Sequence, residues 1–169
     1  AHYHDENICR LSIEGIAPCV DIFSMNEEEL QYTLKEFYRY PVNKNDICSC
    51  AEGADFLMKK LGIRRGVIIH TKDYAMYVGD ARGIEIEKGL MYGALMATAK
   101  ALYGSYGNKE QIRDVMKLNP SDQGCRHLRK LEESIWKDRT VLVPPLYLDK
   151  PKYTIGLGDS FTGGVQMCF

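Results

Sequence analysis

The chain has 169 residues, 45% of them hydrophobic and 27% charged, with a formal net charge of −1 at pH 7. That length suffices for one globular domain with a buried core, and the near-neutral balance argues against a nucleic-acid partner or a membrane surface. The apolar runs are too short to span a bilayer, no signal-peptide pattern opens the chain, and the six cysteines (Cys9, Cys19, Cys48, Cys50, Cys125, Cys168) follow no framework spacing, so they read as free thiols of a cytoplasmic protein.

Taken in order, residues 1–18 suit a short helix, with Ile8, Leu11 and Ile16 toward one face and Pro18 closing it, although Leu11 and Ile13 also alternate as in a strand. His2 and His4 beside Asp5 have the composition of a metal site, but exposed terminal histidines are far more often without one. Val20–Ser24 is a short buried strand running into a helix that extends to about Tyr38. Glu27, Glu28 and Glu29 fill the first turn of that helix, where the dipole favours them, and Asn26-x-x-Glu29 has the form of a capping box. Its functional reading is a carboxylate at a strand end that orders Mg²⁺-bound water near nucleotide phosphates, because ligands of open α/β sheets gather at the carboxyl ends of strands.

Pro41–Asp46 is a turn, and Ile47–Leu61 is a helix stopped by Gly62. Cys48 and Cys50 lack the two-residue gap of a zinc or redox pair and read as structural. Gly66–Thr71 and Tyr74–Gly79 form a strand pair across a Lys72-Asp73 turn. The run Val67-Ile68-Ile69 suits a central strand covered on both faces, with His70 by default a hydrogen-bonded histidine at the core edge. Ile84–Tyr103 is the longest periodic segment; its stripe of Leu90, Ala94, Ala97 and Ala101 reads as packing scaffold rather than a cofactor box. A short helix around Glu110–Met116 follows, then an amphipathic helix over Ser121–Trp136 with a solvated charged face. Thr140–Leu148 reads as a strand ending in a proline-broken loop.

The last seventeen residues carry the strongest local signal. Tyr153-Thr154-Ile155 reads as a strand end, Gly156-Leu157-Gly158 as a turn, and Asp159-Ser160 as a helix start. Strand, glycine turn and helix N-terminus together make a place to hold an anion. Asp159 is either the N-cap, which the local pattern favours, or a general base aimed at a hydroxyl; one aspartate can be both. The element order implies a single α/β domain over 1–169 with mostly parallel strands, the Gly66–Gly79 pair adding antiparallel character.

The run from Lys150 to Asp159, KPKYTIGLGD, resembles the Gly-x-Gly-Asp signature of ribokinase-like sugar kinases, and most closely that of the ADP-dependent glucokinase and phosphofructokinase family. Asn26-x-x-Glu29 after a strand, His70-Thr71 followed by Tyr74, and the alanine-rich helix match that family's motifs in the same order. The resemblance implies a ribokinase-like layered sheet with helices on both faces. It implies a Mg²⁺-dependent transfer of the ADP β-phosphoryl to glucose or fructose 6-phosphate. Asp159 is then the base, and the backbone of Gly156, Leu157 and Gly158 holds the moving group. Glu29, helped by Asn26, orders Mg²⁺ through water; His70, Thr71 and Tyr74 line the adenine side, and Leu148 packs on the adenine ring. Family members are longer, their N-terminal half supplying the first strands, a lid, most sugar contacts and a His-x-Glu metal motif just upstream of the position of Ala1. The chain is therefore expected to be the C-terminal portion of the large domain, with the missing half as its partner. The rival readings are an ATP-using ribokinase-type kinase, a nucleotide-binding module without activity, and a flavodoxin-like domain in which Asp159 merely caps a helix.

Overall fold

Alternation of apolar side chains along four short strands sets up a sheet with two covered faces. The computed structural model of the chain describes residues 5–169. Its strands are β1 (Ile22–Asn26), β2 (Gly66–His70), β3 (Ala75–Gly79) and β4 (Thr140–Val143), in the spatial order β1-β2-β3-β4. β1 pairs parallel with β2, in register Ile22 with Gly66 and Asn26 with His70. The β2–β3 and β3–β4 pairs are antiparallel. Three of these four strands thus run the same way and β3 alone is reversed, so the α/β class holds and the sheet is mixed.

Seven α-helices cover it: α1 (Glu6–Ile16), α2 (Glu27–Tyr32), α3 (Ile47–Leu61), α4 (Ile86–Tyr103), α5 (Lys109–Val115), α6 (Asp122–Glu132) and α7 (Leu157–Val165). Met25, Val67, Ile69, Met76, Val78 and Leu142 point to one face and pack with residues of α2, α3 and α6. Ile68, Ala75 and Tyr77 point to the other, against Ile86 and Leu90 of α4 and Phe161 and Val165 of α7. Val67, Ile68 and Ile69 are each at most 2% exposed, as a strand covered on both sides requires.

Several boundaries follow the sequence closely. α3 runs from Ile47 to Leu61 and stops at Gly62 in the left-handed conformation. α1 starts at Asp5, whose carboxylate accepts from the N–H of Asn7 (2.8 Å) and Ile8 (3.2 Å); it ends at Ile16, and Pro18 lies within a 3-10 turn beyond it. His2 and His4 lie outside the described residues. β1 sits two residues later than the expected Val20–Ser24, because Asp21 O instead receives the N–H of Arg65 and Gly66 as the chain enters the sheet. The helix expected to reach Tyr38 has regular α-helical turns only to Tyr32 and continues as a π-helical turn over Thr33–Phe37. The amphipathic helix expected over Ser121–Trp136 starts where the Ser121 hydroxyl caps the Gly124 N–H and ends at Glu132.

One expected strand is absent. Tyr153–Ile155 is an irregular strap with no sheet partner, since β4 already ends at Val143 before Pro144 and Pro145. None of the described helices is long and apolar enough to cross a membrane.

Candidate active site

The carboxyl ends of β1, β2 and β4 open on one side of the sheet, and the N-termini of α2 and α7 arrive there from opposite faces. Between them lies a cleft of ≈ 700 Å³. Asn26, Glu29, His70, Thr71, Leu148, Gly156, Leu157, Gly158 and Asp159 all line it. Residues separated by more than a hundred positions in the sequence therefore share one cavity, and Glu29 and Asp159 face into the same space.

At one wall, Asn26 ends β1 and caps α2. Its side-chain oxygen accepts from the Glu29 N–H (2.8 Å) while the Glu29 carboxylate accepts from the Asn26 N–H (3.0 Å). The capping box is thus formed, and it fixes the Glu29 side chain at the rim. Burial opposes ionisation of Glu29, but hydrogen bonds to the carboxylate, that of the Asn26 N–H among them, outweigh it and hold the group below its ordinary value. Next to it, burial raises the Glu27 carboxyl.

The opposite wall is the start of α7. Gly156 is its N-cap at φ 75°, a backbone angle that glycine adopts without strain. Leu157, Gly158 and Asp159 occupy the first turn, so the N–H groups from Gly156 to Asp159 precede the first intrahelical bond, Ser160 N–H to Gly156 O at 3.1 Å. Asp159 is therefore not the N-cap expected from the sequence: the helix begins three residues earlier, and no side chain caps it. Asp159 is exposed to the cleft instead.

His70 lies between the two walls. Its ring packs on Phe161 of α7, centroids 4.8 Å apart, and its Cε1 stands 3.4 Å from where a β-carbon on Gly158 would be. A β-carbon at position 158 would meet the imidazole at ordinary van der Waals distance, so ring and helix lie side by side. Burial pushes the His70 imidazole below its ordinary pKa, with the Glu29 carboxylate acting in the opposite direction. Thr71 closes the β2–β3 turn, its hydroxyl accepting from the N–H of Asp73 (3.0 Å) and Tyr74 (2.9 Å).

Tyr74 is not brought to the cleft. Strand alternation gives it the side of Met76 and Val78, opposite to His70 and Ala75, and it is 4% exposed within the α3 and α6 core. Its ring meets His127 edge-on at 5.4 Å. Conversely, the alanine stripe read as scaffold does more than pack: Ala94, Ala97, Thr98 and Ala101 of α4 form a cleft wall facing Leu146 and Leu148. Small side chains at helical spacing leave a flat slot, and the stripe itself was the signal. Lys72 was also not singled out; it is the one lysine or arginine lining the cleft among the described residues, set there by the hairpin turn.

Four lining carboxylates (Glu27, Glu28, Glu29, Asp159) stand against that lysine. Such a donor set repels a phosphate unless a hard cation intervenes, and it fits Mg²⁺ held by one or two carboxylates, water and the phosphates themselves. Among the described residues no three His, Cys, Asp or Glu side chains converge as a ready metal cage.

Comparison with known proteins places this arrangement in context. A profile described as "ADP-specific Phosphofructokinase/Glucokinase conserved region" matches residues 1–166. The chain is 27% identical over 178 aligned residues to an ADP-specific phosphofructokinase of Thermococcus litoralis, covering 97% of this chain and 39% of that protein. It is 28% identical over 115 residues to an ADP-dependent glucose/glucosamine kinase of Pyrococcus furiosus, covering 63% and 25% respectively. A crystal structure of a phosphofructokinase from Pyrococcus horikoshii with AMP superposes with a TM-score of 0.82 at 21% identity, over 99% of this chain and 40% of that one. The chain thus spans about 40% of the length of the relatives it matches along nearly its whole extent.

Proposed function

The chain belongs to the ADP-specific phosphofructokinase/glucokinase family, and on that premise we propose that it is the portion of an ADP-dependent sugar kinase that carries the nucleotide cleft and the catalytic base. In this reading a sugar hydroxyl oxygen attacks the β-phosphorus of ADP. The bond from that phosphorus to the bridging oxygen breaks, and AMP leaves. Asp159 accepts the hydroxyl proton as the new P–O bond forms. The N–H groups of Gly156, Leu157, Gly158 and Asp159 hold the non-bridging oxygens of the moving group, as oriented dipoles do where charge is shared during transfer.

Glu29, fixed by Asn26, would hold a hydrated Mg²⁺, which would neutralise phosphate charge. Neutral His70 separates that site from α7. The slot between the Ala94, Ala97 and Ala101 wall and Leu148 suits the flat face of adenine, and Thr71 and Lys72 border the phosphate path. Tyr74, set in the core beneath the hairpin, supports the nucleotide end only through the backbone that carries His70 and Thr71. The acceptor is glucose or fructose 6-phosphate.

The observation that carries the reading is the shared cleft: the capping box of α2 and the uncapped start of α7 face each other across one cavity. A nucleotide diphosphate with its cation joins a carboxylate site to an anion hole, and few other ligands need both. The test is a phosphorylation assay of the complete enzyme with ADP or ATP as donor and each sugar as acceptor. Turnover with ADP supports the proposal; turnover with ATP alone favours the wider ribokinase type, and binding of ADP without turnover favours a non-catalytic module.

A further inference from the structure

The strap that leads into α7 has no strand to hold it, yet it carries the residues on which the transfer site depends. Between Tyr147 and the first turn of α7, the backbone hydrogen bonds formed among the described residues are two. The N–H groups of Lys152 and Tyr153 both donate to Ala101 O, at 2.9 and 3.0 Å. Ala101 sits in the last turn of α4. Three residues on, Gly104 ends that helix at φ 75°, and the Tyr153 ring lies across it: a β-carbon on Gly104 would stand 2.8 to 3.0 Å from three ring atoms.

The same helix end is braced from within. Lys100 donates its ammonium to Gly104 O at 2.7 Å, and its Cε lies 3.8 Å from the place of a β-carbon on Gly156. Past Tyr153 the strap is exposed, Ile155 at 87%, until Gly156 opens α7. At the far end the Ser160 hydroxyl of α7 donates to Gly156 O at 2.8 Å.

We infer that Tyr153, seated on Gly104 at the end of α4, is a positioning residue for the Gly156–Asp159 turn. The inference rests on the kinase reading for its catalytic consequence, but its mechanical part stands on these contacts alone. The ring is 49% exposed and contacts Gly104 through its carbons, so the aromatic face rather than the hydroxyl does the holding. With the ring removed, two hydrogen bonds to one carbonyl remain between α4 and the strap, whose next residues, Thr154 and Ile155, are exposed before α7 begins. Small displacements of a transfer site lower the rate steeply, by up to about a hundredfold per ångström.

The experiment compares Tyr153→Ala with Tyr153→Phe in the complete enzyme. Tyr153→Ala is expected to lower kcat about tenfold while KM for ADP stays within about twofold; Tyr153→Phe should restore both. Hydrogen exchange followed by mass spectrometry should show faster exchange across residues 156–165 in Tyr153→Ala, with β2 and β3 unchanged and Tyr153→Phe like the parent. Wild-type turnover or wild-type exchange over 156–165 in Tyr153→Ala overturns the inference, as does a Phe variant as impaired as the Ala variant. A parent enzyme that phosphorylates no sugar refutes the kinase reading separately, and the exchange comparison then decides the anchoring role by itself.

Discussion

α7 reaches its place on α4 through a contact that leaves no room for side chains. A β-carbon on Gly164 would lie 2.6 Å from Tyr92 O and 2.7 and 2.8 Å from the Gly93 Cα and N. All three are backbone atoms of a helix and cannot swing aside. Restoring contacts to roughly 3.5 Å requires α7 to move away by roughly 0.8 Å, and the Gly156–Asp159 turn moves with it. Overpacking of this kind costs about 1–3 kcal/mol, while alanine gains about 1 kcal/mol over glycine within a helix, so the net loss of stability in Gly164→Ala is about 0–2 kcal/mol. On the proposed reaction the effect on turnover is larger, about 10- to 100-fold, because the displaced atoms would align the transfer. Gly163→Ala is the internal control: nothing lies within 4 Å of its β-carbon position, so the same helix gains an alanine without being pushed. The assay is steady-state phosphorylation by the complete enzyme, beside urea unfolding of both variants. Equal turnover in Gly164→Ala and Gly163→Ala would refute the claim that the seating of α7 sets the geometry of transfer.

Glu29→Gln keeps an oxygen to accept from the Asn26 N–H, so the cap and the stability are expected to survive, while the Mg²⁺ concentration for half-maximal rate rises severalfold; an unmoved magnesium titration would leave Glu29 a cap and nothing more. Leu148→Ser removes the apolar side of the slot and is expected to raise KM for ADP about tenfold through about 1.5 kcal/mol of lost burial, with a smaller change in kcat; steady-state kinetics over an ADP series measures it. His70 has a folded pKa below its unfolded value because it is buried. The unfolded chain therefore takes up its proton first, stability is full above pH 6.5, and it falls as the pH drops from 6.5 through the folded value. His70→Gln should flatten that acid limb in urea titrations at successive pH, leaving the part due to His127, whose pKa burial also lowers. A variant with an unchanged acid limb would show that His70 is not held neutral by the fold.

Much of this was legible because it depends on local rules. Asn26-x-x-Glu29 names a capping box by spacing alone, Gly62 names a helix stop, and Val67-Ile68-Ile69 names a strand covered on both sides. The site was legible for a different reason: its residues sit at element ends, where strand, turn and helix signals coincide. What the sequence hid depends on registers and partners. Whether Asp159 or Gly156 begins α7 turns on three residues of phase, and Gly156 wins because its positive φ starts the helix without a side-chain cap. Tyr153–Ile155 has strand-forming residues but no neighbouring strand, so it becomes a strap held by α4. Tyr74 follows His70 by four residues, which across a hairpin reverses nothing in spacing but places it on the other face of the sheet. The double role of the Ala94–Ala101 stripe could be seen only once Leu146 and Leu148 stood across from it.

Phosphoryl transfer as proposed depends on the carboxylate at the first turn of α7. In the complete enzyme, Asp159→Asn preserves the size and place of the side chain but cannot take a proton. Turnover with ADP is expected to fall about 10²- to 10⁴-fold while calorimetry finds ADP affinity within about threefold of the parent. Near-parental turnover in Asp159→Asn would contradict the assignment of the base and, with it, the proposed use of the cleft.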